Sequence, residues 1–115
     1  MKIILHTFFI LLLSLTLNAQ ISDNSVETTA SGSGSVAMGY QTEATAAFST
    51  AMGLQSKATG PRSTAIGWLT QAQEFQSTAM GYSTTASGNT STAMGTFTTA
   101  SGNYSTAMGF FTEAS

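Results

Sequence analysis

Cysteine is absent from the 115 residues, and proline occurs once, at Pro61. No disulfide framework can therefore staple the chain, although its N-terminus points to export, where disulfides would persist. Charge is nearly as scarce. Three basic against five acidic residues give a formal net charge of −2. That leaves no basic stripe as a footprint for nucleic acid and no ionic network to stabilise a fold. The only histidine, His6, lies near the N-terminus, so the rest of the chain has no imidazole for acid–base work. The length allows one domain at most.

What the sequence does contain begins with an export signal. Met1-Lys2 opens with a positive charge. An apolar run from Ile3 to Leu17 follows, interrupted by His6, Thr7, Ser14 and Thr16, and then Asn18-Ala19-Gln20. A charged start, an apolar centre and a small residue at the cut describe a secretory signal peptide. Residues 1–19 are expected to be that peptide, helical or disordered, with cleavage after Ala19. The unbroken stretch from Phe8 to Leu13 is short against the roughly 20 apolar residues a bilayer span needs. Residues 20–27 show no repeat and read as a short leader.

From residue 28 a phrase recurs every 14 residues. Full copies begin at Ser35, Ser49, Ser63, Ser77 and Ser91. A sixth begins at Ser105, and a half copy, Thr28 to Gly34, precedes the first. The third position is always alanine: Ala37, Ala51, Ala65, Ala79, Ala93 and Ala107. The fourth is Met38, Met52, Ile66, Met80, Met94 and Met108. The fifth is always glycine: Gly39, Gly53, Gly67, Gly81, Gly95 and Gly109. The eighth is Thr or Ser, and the tenth is alanine from Ala30 through Ala114. The sixth, seventh, thirteenth and fourteenth positions vary.

A 14-residue period is also two heptads, but Gly, Ser and Thr in every copy are poor helix residues, and Leu, Glu and Lys are missing at heptad spacing. Disorder suits the Gly, Ser and Thr content but does not keep Ala, Met and Gly in their columns. The remaining reading is a solenoid with one coil per repeat. The Thr-rich apolar "STAM" supplies one strand, glycine at the fifth position its corner, and "TTASG" the return strand and second corner. Coils stack at about 4.8 Å. So narrow a coil has space inside for little beyond methyl groups, which the two alanine columns fit. Alternation along a strand then sends the fourth position outward. The Met column becomes an apolar stripe on the surface, which marks an interface. A thin alanine-filled coil also buries too little area to stand alone. The opposite assignment, with Met inside and Ala at the interface, requires a partner as well.

"SVAMG" (Ser35–Gly39), "STAIG" (Ser63–Gly67) and four copies of "STAMG", each followed by alanine at a fixed distance, resemble the head repeats of trimeric autotransporter adhesins, the YadA-type or Hep/Hag haemagglutinin repeat. The resemblance runs from Thr28 to Ser115. It implies an all-β, left-handed parallel β-roll, three chains side by side, and display on the outer surface of Gram-negative cells. It implies adhesion to host matrix or to a cell-surface receptor. The family's coiled-coil stalk and outer-membrane barrel do not follow the repeats here, and Ser115 falls in mid-repeat. The sequence is therefore read as a fragment of a longer adhesin, touching a membrane only through a C-terminal anchor outside it. A structural spacer in a tail-fibre-like surface protein is the alternative.

Chemistry fits poorly. Glu43 and Glu113 share the ninth column but lie five coils apart, about 24 Å at strand spacing, too far for a glycosidase pair. Hydroxyls without a base are not nucleophiles. No Asp stands inside the repeats to build a calcium ladder. The Thr column of the second position is flanked by Met rather than a second Thr, unlike the ladders of ice-binding solenoids. No enzyme activity, metal or cofactor is expected. The candidate residues are structural or adhesive: the Met column at a homotrimer interface or core, the fifth-position glycines at the coil corner, and the third-position alanines in the coil interior. Tyr40, Trp68, Tyr82, Phe97 and Phe110 are candidate partner contacts, since aromatics gathered on one surface mark interfaces. A Glu43–Lys57 ion pair, a Phe48–Arg62 cation–π contact and an Asn89–Asn103 amide ladder are expected from residues stacked in one column.

Overall fold

A computed structural model describes residues 21–22 and 27–115. The expected signal peptide lies outside the described residues. The described chain is a parallel β-solenoid with no helix. Each coil carries one strand of five residues and one of two. The long strands are β3 (Val36–Tyr40), β5 (Thr50–Leu54), β7 (Thr64–Trp68), β9 (Thr78–Tyr82), β11 (Thr92–Thr96) and β13 (Thr106–Phe110). The short ones are β2 (Thr29–Ala30), β4 (Glu43–Ala44), β6 (Lys57–Ala58), β8 (Gln71–Ala72), β10 (Thr85–Ala86), β12 (Thr99–Ala100) and β14 (Glu113–Ala114).

Like stacks on like. In the long sheet Ala93 pairs with Ala79 and Ala107, and Met94 with Met80 and Met108. In the short sheet Ala86 pairs with Ala72 and Ala100. The repeat period is thus the register of the sheet. The leader adds a strand that no repeat announces. β1 (Ile21–Ser22) pairs with β3 as Ile21↔Val36 and Ser22↔Ala37, an offset one residue longer than between later strands.

The two alanine columns form the core, with no exposed surface from Ala37 to Ala100. Beside them, the first and eighth positions are buried as well: Ser35, Ser49, Ser63, Ser77 and Ser91 on one side, Thr42, Ser56, Thr70, Thr84 and Thr98 on the other. The interior therefore alternates methyls and small hydroxyls. Four of these hydroxyls bond to protein: Ser56 Oγ donates to Gly67 O and Thr70 Oγ1 to Ser56 Oγ, each at 2.9 Å, and Ser49 and Ser77 donate to Ala46 O and Glu74 O. The hydroxyls of Ser35, Thr42, Ser63, Thr84, Ser91 and Thr98 have no hydrogen-bond partner among the described residues, a cost to the coil.

The corners are not made by the fifth-position glycines. Gly39 and its equivalents lie inside the long strands. The chain turns instead at the seventh and fourteenth positions, where non-glycine residues hold positive φ: Gln41 at 53°, Leu69 at 58°, Phe97 at 53° and Tyr104 at 60°. Such a conformation costs roughly 1–2 kcal/mol per residue. It persists because the turn is itself hydrogen-bonded between coils. Leu69 N donates to Leu54 O at 2.9 Å, and Tyr104 N to Asn89 O at 2.8 Å. The ladder runs around the corners, so the side chains there are free to vary.

The fifth-position glycines are required for another reason. Gly81 has φ +120°, and a Cβ there would sit 2.0 Å from the carbonyl oxygen of Gly95 in the next coil. Adjacent coils approach too closely at this column for any side chain.

Candidate functional site

Two surfaces stand out on the solenoid. The first is the outward face of the long sheet. Met52, Ile66, Met80 and Met94 are half-buried there by their stacked neighbours, while Met38 at 39% and Met108 at 60% are exposed at the two ends. The result is an unbroken apolar column along the rod. No other side chain among the described residues covers it completely.

The second surface is the corner formed by the sixth and seventh positions. Here the structure joins residues that one column alone does not connect. Trp68 and Tyr82 have ring centroids 4.8 Å apart. From Tyr82 the contact crosses to the seventh column, reaching Phe97 at 5.1 Å. Phe97 then stacks on Phe111 at 4.9 Å, and Phe111 meets Phe110 edge-on at 4.5 Å. The crossing occurs because Thr96 occupies the sixth position where an aromatic would continue the column. Offset and edge-to-face pairs of this kind each contribute about 0.5–1.5 kcal/mol beyond burial. Tyr40 is exposed at the opposite end, with Leu54 rather than a ring beside it.

The corner carrying the thirteenth and fourteenth columns behaves differently from the sequence expectation. Arg62 does not pack on Phe48. Its guanidinium lies over the ring of Phe75, 5.6 Å from the centroid, one coil further along. The outward-turned arginine leans toward the next coil, where the ring sits in the neighbouring column. Asn89 and Asn103 are linked, but by main chain to side chain: Asn89 N donates to Asn103 Oδ1 at 3.0 Å. Lys57 Nζ lies 3.0 Å from Glu43 Oε1, with both side chains partly exposed. An ion pair so open to water contributes little stability.

Among the described residues no three His, Cys, Asp or Glu side chains gather as metal ligands. No helix there is long and apolar enough to cross a membrane.

A solenoid of 14-residue coils with stacked Ala, Met and Gly columns is the geometry to set beside known families. The model of the YadA head domain repeat matches residues 30–54, 44–70, 72–98 and 86–112. The chain belongs to the YadA head-repeat family. Overlapping matches offset by whole coils show that the family unit spans about two coils and recurs along nearly the whole rod. A search of curated proteins returned no match. The YadA head repeats make this chain an adhesin-type module, and the β-solenoid agrees with that class.

Sequence reasoning missed the buried hydroxyl columns and the positive-φ corners. The first had a signal, the constancy of Ser at position one and of Thr or Ser at position eight. The second had none, because conformation at those corners is independent of residue type.

Proposed function

We propose that this chain is the head of a homotrimeric surface adhesin that attaches its bearer to cells or extracellular matrix. The observation that carries the reading is the continuous Met/Ile column on the outward face of the long sheet. An apolar stripe of this length normally marks an interface. The alanine-filled coil behind it supplies little buried area of its own. Three copies packing these columns around a common axis cover the stripe and give each coil a second layer. Kinship with YadA-type adhesins supports a left-handed roll and display on the outer surface of a Gram-negative cell, and the charged, apolar N-terminal pattern supports removal of residues 1–19. With the Met face turned inward, the aromatic corner is left to bind a matrix protein or receptor.

Sedimentation equilibrium and circular dichroism on the full chain test the assembly. A β-rich trimer is expected, and Met80→Lys with Met94→Lys converts it to monomer. A folded wild-type monomer refutes it. Adhesion is tested separately, by attachment to immobilised matrix proteins and to cells. Trp68→Ala with Tyr82→Ala should abolish attachment while the trimer persists. Unchanged attachment would instead assign the module to spacing.

A further inference from the structure

Polarity is distributed unevenly along an otherwise repetitive rod. From residue 27 onward the chain has six charged residues. Three of them, Glu27, Glu43 and Lys57, line a single groove of about 290 Å³. Gln41, Gln55 and Gln71 share its walls, and Leu69 adds an apolar patch. The walls are the seventh and ninth columns, on either side of the buried eighth. Further along the rod these columns carry Ser83, Phe97 and Phe111, and Thr85, Thr99 and, at the far end, Glu113 beside Phe111. The polar groove therefore belongs to the first coils only.

Its side chains are held by one another. Along the seventh column Gln41 Nε2 donates to Glu27 Oε2, and Gln55 Nε2 donates to Gln41 Oε1 at 2.9 Å. Along the ninth, Lys57 pairs with Glu43, and Gln71 Oε1 accepts from Gln73 Nε2 of the eleventh column at 2.7 Å. These bonds leave Gln55 Oε1 as an acceptor, and Gln71 Nε2 and the remaining Lys57 N–H groups as donors. Free donors and acceptors thus lie beside the apolar Leu69 side chain. Glu43 and Lys57 neutralise one another, and the remaining Glu27 carboxylate disfavours an anion.

We infer that this groove is a subsite for one neutral sugar ring. Vicinal hydroxyls both donate and accept, and planar amides and carboxylates meet them in pairs. The Leu69 side chain suits the C–H face of a ring. The volume lies near the lower end of ligand sites, about 300 Å³, which suits one ring and not a long chain. The groove opens at the corner leading to the short sheet, away from the Met column, so packing of the long-sheet faces leaves it accessible. The subsite deepens the adhesion reading by naming a ligand class, and it rests on that reading only for its biological setting.

Saturation-transfer NMR on the full chain, with maltotriose, mannotriose and galactotriose as probes and trigalacturonate as the anionic control, tests it. At least one neutral trisaccharide should bind with Kd of about 0.1–1 mM, as suits a shallow site with a few hydrogen bonds. Gln55→Leu and Lys57→Met, both exposed positions, should each weaken that binding roughly tenfold with an unchanged dichroism spectrum. Phe111→Ala should leave it intact. Absence of transfer to all three neutral sugars, unchanged binding in both groove variants, or tighter binding of trigalacturonate would each overturn the inference. Cell attachment is scored in parallel. Attachment without sugar binding removes the subsite and leaves the adhesin; sugar binding without attachment does the reverse.

Discussion

Each coil consists of two half-coils built on the same plan, and they differ in what they tolerate. Both run from a buried hydroxyl, through a buried alanine two residues on, to a corner residue with positive φ. The long half carries glycine at its fifth position in every copy. The short half has glycine at the corresponding twelfth position four times, as Gly32, Gly60, Gly88 and Gly102, but Ala46 and Glu74 in the other two places. The reason is conformational. Fifth-position glycines have φ between 114° and 137°, whereas the twelfth-position residues are absent from the positive-φ set. A Cβ at position twelve also falls on the next coil's backbone, 2.1 Å from Gly102 O at Gly88, but it adds no disallowed φ.

The turn records how that crowding is absorbed. Where a side chain stands at position twelve, the next serine reaches back: Ser49 Oγ donates to Ala46 O and Ser77 Oγ to Glu74 O, each at 2.7 Å. Where glycine stands there, Ser35, Ser63, Ser91 and Ser105 have no such bond. One glycine column is thus fixed by φ and close approach together, and the other by close approach alone, which the turns at Ala46 and Glu74 absorb.

Substitutions on the two halves sharpen this contrast. Gly81→Ala should have the largest effect, above about 4 kcal/mol, because it combines a clash with backbone and a disallowed φ. It should prevent folding by dichroism. Gly109→Ala has the same φ, +121°, but its Cβ would meet only Thr112 Cγ2 at 3.5 Å. Its cost should fall to about 1–3 kcal/mol of strain, read as a lower urea midpoint. Equal losses at the two positions would show that φ, not coil approach, fixes the column. Ala79→Val and Ala86→Val overfill the two halves of the interior alike, and each should cost about 1–3 kcal/mol. A clear difference between them would break the equivalence of the halves.

Gly88→Ala places a Cβ 2.1 Å from Gly102 O, so the next coil must shift, at about 1–3 kcal/mol; the cost stays below that of Gly81→Ala because no disallowed φ is added. It should also bring the Ser91 hydroxyl onto the carbonyl of residue 88, visible in a crystal structure. A loss as large as that of Gly81→Ala would erase the distinction between the two glycine columns. The smallest effect is expected at a corner. Gln76→Gly relieves a φ of 53°, and the gain is nearly cancelled by the added entropy of the unfolded chain, leaving a change within about 1 kcal/mol.

Much of the coil was legible in the sequence because periodicity and stacking are the same fact in a solenoid. Ala at positions three and ten recurs with the sheet register, and a narrow coil has no room for anything larger. The outward placement of Met38 through Met108 follows from strand alternation once Ala37 is inside. The Glu43–Lys57 contact was legible for the same reason, since residues 14 apart become neighbours in one column. Contacts between columns were not. Arg62 reaches Phe75 rather than Phe48, and the aromatic contacts pass from the sixth column to the seventh at Phe97, because side-chain lean is set by local space.

The sequence by itself determined the repeat length, the small residues that fill the interior, and the apolar stripe on the outward face. Only the tertiary structure decided where the chain turns. Phe, Leu, Arg, Gln and Thr all adopt positive φ at the corners, against their intrinsic preference. Hydrogen bonds from the coils before and after outweigh that preference, and no residue type at the corner encodes them. The polar groove likewise exists only because winding brings Glu27, Gln41 and Gln55 into one row beside Glu43 and Lys57.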